Sequence, residues 1–325
     1  GSLIIMEPKT GKILAMANFP TYDPNLYNKV PQDQQKVFNN ESVSAPWEPG
    51  SVFKPLIMAA AINDNKVQPD TENVFGSSVT INGYDIHTST NEAYGRETMT
   101  EVLENSDNVA MTWISELLGK ETMYKYLQDY GFGRKTGIEL DNETPGDLKE
   151  PKKWSDVQRA TISFGQGITA TPLQVLNATS AIANGGKLMQ PYIVEKTIDY
   201  SGKEDSRSPK EITQAVTQDT AQKVKDMMVS VVVNGHGKKA QIVGYKVAGK
   251  TGTAQVPKPG GGYYEDRHIG SFVGFAPADD PKFAMIVKLD NPKNVDWAEA
   301  SAAPTFGEMA KWLLTYMGVP PTENQ

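Results

Sequence analysis

The 325-residue sequence contains no cysteine. That absence excludes a thiol nucleophile, disulfides and zinc–thiolate sites. Histidine is scarce: His87, His236 and His268 lie far apart with no metal-ligand spacing, so each reads as an ordinary surface or core residue and no metal or cofactor is expected. Basic residues do not dominate. With 32 Lys and Arg against 39 Asp and Glu, the net charge is −7. The chain has no basic run and no basic–aromatic stripe, which argues against a nucleic-acid surface. No apolar stretch approaches the ~20 residues needed to cross a bilayer. What remains is an ordinary globular composition, long enough for one large domain or two small ones.

Apolar runs and turn signals divide the chain. Leu3 to Met6 and Ile13 to Ala17, joined by Pro8-Lys9-Thr10-Gly11, read as a β-hairpin. A polar stretch from Pro20 to Ser44 leads to a buried helix over 52–63, then a β-like, turn-rich region over 67–90. The pattern is helical from Thr98 to Tyr130, with Gly119 and Gly131 as stop signals. Gly133 to Trp154 reads as loop. Thr171-Pro172 opens a helix that Asn184-Gly185-Gly186 closes. A polar surface stretch over 199–210 and a helix over 217–233 follow. Tyr245 to Val256, Ile269 to Ala276 and Phe283 to Leu289 read as strands, with a Gly/Pro loop over 257–262. Thr305 to Met317 reads as an amphipathic helix, and 318–325 as a frayed tail. The expected fold is α+β: one antiparallel five-stranded sheet flanked by helices, with a mainly helical lobe over roughly 52–190 inserted between sheet segments 3–17 and 245–289.

The stretch Trp47-Glu48-Pro49-Gly50-Ser51-Val52-Phe53-Lys54-Pro55 is the chemical focus. Pro49-Gly50 delivers Ser51 to a helix start, and Lys54, three residues on, shares its face. A serine hydroxyl becomes a nucleophile when a neighbour removes its proton, and a lysine of depressed pKa can do so. Alone, so short a pattern as S-x-x-K far more often marks an N-cap serine followed by a solvated lysine. Ser106-Asp107-Asn108 reads as a helix cap. Lys-Thr-Gly occurs three times, but only Lys250-Thr251-Gly252, followed by Thr253, lies in a strand pattern. Gly244 to Thr251 also matches the phosphate-loop pattern G-x-x-x-x-G-K-T. That reading requires a helix immediately afterwards, and Gly252, Pro257, Pro259 and glycines 260–262 forbid one.

S-x-x-K, S-D-N and K-T-G in this order form the signature of penicillin-binding proteins and class A β-lactamases. The chain resembles the penicillin-binding transpeptidases from Leu3 to Pro321. The likeness includes Phe164-Gly165-Gln166-Gly167, Thr171-Pro172-Leu173-Gln174 and Ser271 to Pro277, and is nearest to the monofunctional, division-associated class B branch. The resemblance implies a peptidoglycan D,D-transpeptidase acylated and inhibited by β-lactams. Ser51 would attack the D-Ala-D-Ala bond of a stem peptide, and Lys54 would be general base, its pKa lowered by burial and by Lys250. Ser106 would relay a proton to the departing D-alanine, and Asn108 would bind the substrate amide. Lys250 with Thr251 and Thr253 would hold the terminal carboxylate, and Gly252 would admit the substrate backbone. The N–H groups of Ser51 and Thr253 would form the oxyanion hole. Tyr263 and Tyr264 would form a lip over the cleft or simply face solvent, and Trp47 would line the cleft or pack the turn.

Two rivals share the motifs. A serine β-lactamase needs a positioned glutamate for deacylation, and Glu139, Glu143 and Glu150 stand between the second and third motifs outside any such local pattern. A β-lactam sensor would acylate and stay acylated. Expected partners are stem peptides, β-lactams and cell-wall synthesis or division proteins. The expected location is the extracytoplasmic face of the bacterial cytoplasmic membrane, with which the lack of cysteine is compatible. Gly1-Ser2 reads as a cloning remnant, so an anchor or pedestal region is expected upstream of Leu3.

Overall fold

A computed structural model describes residues 1–258, 262–293, 295 and 297–322. Five strands make the main sheet: β1 (Ser2–Met6), β2 (Ile13–Asn18), β3 (Ala248–Pro257), β4 (Tyr263–Ala276) and β5 (Phe283–Asp290). Their order is β3-β4-β5-β1-β2, every neighbour antiparallel. The first hairpin and the last three strands thus meet through the β1–β5 pairing, with Ile4 opposite Ile286. Residues 259–261 of the expected Gly/Pro loop lie outside the described residues.

Strand alternation decides which helix covers which face. Ile4, Val273, Phe275 and Ile286 belong to the larger core cluster, together with α1 (Lys54–Asn63), α3 (Pro172–Ala183) and α4 (Gln218–Val233). The adjacent residues Ile5, Phe272, Met285 and Val287 face the other way and pack on α5 (Ala302–Tyr316), where the Phe272 and Phe306 rings lie 4.6 Å apart. Strand β5 is buried over six consecutive residues because both its faces are covered.

Helix α1 is buried from Lys54 to Ile62. Its sequence KPLIMAAAIN is apolar all round, as a central helix requires. A 3-10 turn, Gly50–Phe53, precedes it. The helical stretch over 98–130 divides into Met99–Glu104 and α2 (Asn108–Asp129), the latter broken at Gly119. A capping box of Thr171 and Gln174 starts α3.

Asp156–Ile162, unassigned from the sequence, is a helix capped by Ser155. The polar surface stretch near 199–210 is exposed and carries a small ladder, Lys196–Ile198 with Glu204–Ser206. One local expectation is corrected. The tail is tied rather than frayed through 322: Tyr245 Oη donates to Val319 O at 2.6 Å, and Thr322 N to Gly244 O at 2.9 Å. Residues 323–325 lie outside the described residues. Among those described, no helix is long and apolar enough to cross a membrane.

Candidate active site

The turn bearing Ser51 is clamped from two sides. Gly50 N donates to Gly165 O at 3.0 Å, and Gly167 N to Glu48 Oε1 at 2.8 Å. Gly165 has φ +79°, and a Cβ there would lie 2.2 Å from Gly50 O, so only glycine permits this approach. On the other side, a Cβ at Gly252 would meet Ser271 Oγ at 2.8 Å and Val52 Cγ1 at 2.9 Å. Glycine at 252 therefore seats the serine turn against β3. That packing is a reason for glycine beyond the expected approach of a substrate backbone.

Behind the turn, Lys54 and Lys250 are both fully buried. Lys54 Nζ lies 2.5 Å from Ser106 O, 2.8 Å from Asn108 Oδ1 and 3.1 Å from Ser106 Oγ. Lys250 Nζ donates to the same Ser106 Oγ at 3.0 Å. Four expected site residues from three distant segments thus form one bonded group. Ser51 Oγ makes no hydrogen bond to Lys54 among the described residues; the amine faces Ser106 instead. Burial first, then the charge of Lys250, holds Lys54 well below the ordinary 10.5. Burial lowers Lys250 to about 7, against the attraction of Glu299.

A neutral amine has two N–H donors and one lone pair. With donation to Ser106 O and Asn108 Oδ1, the lone pair of Lys54 is left facing Ser106 Oγ. Asp107 caps α2 by accepting Val109 N at 2.6 Å and Ala110 N at 3.2 Å, which makes Asp107, not Ser106, the helix cap. Asn108 Nδ2 donates to His87 O at 3.0 Å.

These groups border a cleft of about 330 Å³. Ser51, Ser106, Asn108, Thr251 and Thr253 line it, with the two lysines behind its wall. Thr253 Oγ1 accepts Ala298 N at 3.1 Å, fixing the far rim. His236, Trp297 and Glu299 also line the cleft, with His236 Nδ1 3.0 Å from Glu299 Oε2. Sequence reading missed all three, since they come from two loops without a motif, His236 from one and Trp297 with Glu299 from the other. Phe164 and Gln166, noted above only for family likeness, line the cleft too.

Other candidates are placed elsewhere. Trp47 packs the turn, pairing with Ala170 through the backbone and lying under Lys288 Nζ. Tyr263 Oη donates to Glu48 Oε2 at 2.8 Å, and Tyr264 stacks beneath Arg267. Neither tyrosine is among the lining residues. Glu143 accepts Thr136 and Gly137 N–H groups, and Glu139 pairs with Arg207. Neither these nor Glu150 lines the cleft. The phosphate-loop match falls on β3, where Lys250 and Thr251 pair with Val273 and Phe272 in an antiparallel ladder. No cluster of metal-ligating side chains occurs among the described residues.

Residues 1–311 match the penicillin binding protein transpeptidase domain. The chain belongs to that family. It is 39% identical over 327 residues to stage V sporulation protein D of Bacillus subtilis, covering 99% of this chain and 50% of that protein. It is 32% identical to the peptidoglycan D,D-transpeptidase FtsI of Escherichia coli K12, covering 99% and 52%. Among solved structures it is similar to penicillin binding protein 3 of Mycobacterium tuberculosis complexed with aztreonam, with a TM-score of 0.91 and 35% identity over 99% of this chain and 74% of that one. The chain spans about half the length of the curated relatives it matches.

Proposed function

We propose that this chain is a serine-type peptidoglycan D,D-transpeptidase unit acylated by β-lactams. The observation that carries the reading is the bonded group Lys54–Ser106–Asn108–Lys250 set directly behind a cleft lined by Ser51. The relative named D,D-transpeptidase and the neighbour bound to aztreonam support the substrate and inhibitor classes.

In this reading Ser51 Oγ forms a bond to the carbonyl carbon of the D-Ala-D-Ala peptide, and its proton passes to neutral Lys54. The N–H groups of Ser51 and Thr253 carry the oxyanion; one such donor is worth about 3 kcal/mol. Collapse breaks the C–N bond as the proton on Lys54 passes through Ser106 to the leaving D-alanine. A second stem-peptide amine then attacks the acyl carbon, its surplus proton passes to the again neutral Lys54, and Lys54 hands it to Ser51 Oγ as the ester bond breaks. Lys250 with Thr251 and Thr253 holds the terminal carboxylate, Asn108 the substrate amide, and Gly252 lets the chain lie close. The same reading places the unit on the extracytoplasmic side, among cell-wall and division proteins. It also treats residues 1–325 as one domain with its helical lobe at 52–190.

The test is intact-mass analysis after incubation with a penicillin. One adduct on Ser51 that persists for many minutes, and none on Ser51→Ala, is expected. Release of D-alanine from a D-Ala-D-Ala pentapeptide, with incorporation of an added amine, distinguishes the enzyme from a sensor. Rapid penicillin turnover, or no adduct at all, would overturn the proposal.

A further inference from the structure

Ser106 sits at φ +57°, a left-handed conformation that costs a non-glycine residue about 1 kcal/mol or more. The loop around it must be fixed from outside. Asp107 is fully buried, and its Oδ1 accepts two backbone N–H groups, yet Oδ2 is buried with no donor. Glu97, on the strand Gly95–Thr98, shows the same division. It is 2% exposed, and its Oε1 accepts Asn105 Nδ2 at 2.9 Å, whereas Oε2 is buried without a donor. The two carboxyl groups are within hydrogen-bond reach of each other. Two ionised carboxylates in that position would repel and leave both oxygens unsatisfied. One proton resolves both problems.

We propose that Glu97 and Asp107 share a single proton, Glu97 Oε2–H donating to Asp107 Oδ2, and that this acid pair positions the Ser106–Asn108 loop and halves the negative charge beside Lys54. Burial chiefly, with Asp107 adding to it and Asn105 opposing, pushes Glu97 up to about 7, in keeping with a retained proton. The charged and titratable neighbours fit. Lys54 faces the pair from α1, and Lys250 faces Lys54 from β3. Glu101, on the helix that follows the strand, adds a weak repulsion while bound to Thr98. Arg96 points outward to Glu72.

Both carboxylates favour the ammonium form of Lys54. A doubly ionised pair therefore delays loss of its proton, and an ammonium has no lone pair to act as base. Glu97 is thus a positioning residue that acts through Lys54. This kinetic consequence rests on the proposed role of Lys54; the shared proton does not.

Glu97→Gln supplies a permanent N–H donor in place of the acid. Its penicillin acylation rate is expected within about twofold of wild type at about pH 6, where Glu97 keeps its proton, and several-fold above wild type at about pH 8, where ionised Glu97 holds Lys54 charged. Glu97→Ala, lacking the donor, is expected to slow acylation about tenfold or more, and recovery in Glu97→Gln separates donation from bulk. Infrared spectra of the unsubstituted protein provide an arm independent of mutation and of catalysis. A carboxylic-acid C=O band is expected at about pH 6, disappearing as the pH rises through neutrality and absent from Glu97→Gln. Lack of that band, a Glu97→Gln profile superimposable on wild type, or an Ala variant as fast as wild type would overturn the proposal. Failure of the unsubstituted protein to acylate at all would count against the site reading and leave the infrared test standing.

Discussion

Among the described residues Lys250 is buried without a carboxylate bonded to it, its amine reaching Ser106 and Thr251. Desolvation brings it to about 7, whereas in an unfolded chain it stays charged to its ordinary 10.5. Between those values the unfolded chain binds the additional proton, so stability rises with pH across that window. Below it, the buried ammonium destabilises the fold fully. Lys250→Met is therefore expected to resist urea better than wild type at about pH 6, the gap closing toward about pH 10. The same change is expected to slow penicillin acylation about a hundredfold by removing the carboxylate's partner. Urea melts across pH and labelling kinetics check the two halves; a gap independent of pH would refute the titration.

The serine turn owes its placement to elements remote in sequence, and two substitutions separate that placement from stability alone. Gly165→Ala puts a methyl against Gly50 O and is expected to slow labelling at least about tenfold, with a loss of about 2 kcal/mol. Thr171→Ala removes the capping box of α3 and is expected to lower stability by about 1 kcal/mol at an unchanged labelling rate. Denaturant melts alongside labelling distinguish them. Strands β1, β2 and β5 and the Ile269–Ala276 part of β4 were legible as apolar runs beside turn residues, whereas β3, AGKTGTAQVP, is mixed in character. That Ser51 and Lys54 share a face did not tell what the amine bonds: it bonds Ser106 and Asn108, and Ser51 lies in the 3-10 turn ahead of the helix. Helix Asp156–Ile162 escaped notice as a short segment beside a charged loop, although Ser155 and Gln158 carried a cap signal. The exposed ladder at 196–206 has no apolar alternation to read. His236, Trp297 and Glu299 meet only through tertiary folding.

In the whole molecule, an adduct on Ser51 would join the turn, the Ser106 loop and β3 around one cleft, and its carboxylate would give Lys250 a counter-ion. Acylation by a penicillin is accordingly expected to raise the thermal midpoint by about 5 °C, and to raise it less in Lys250→Met. Scanning fluorimetry on both proteins decides this; equal shifts would exclude the counter-ion effect. One further property follows from β3 being the terminal strand of its sheet. A guest laid alongside such a border is gripped through its amides, which every peptide possesses. Discrimination then falls to the guest's tip, so permissiveness along its length and strictness at its end share a single architectural origin.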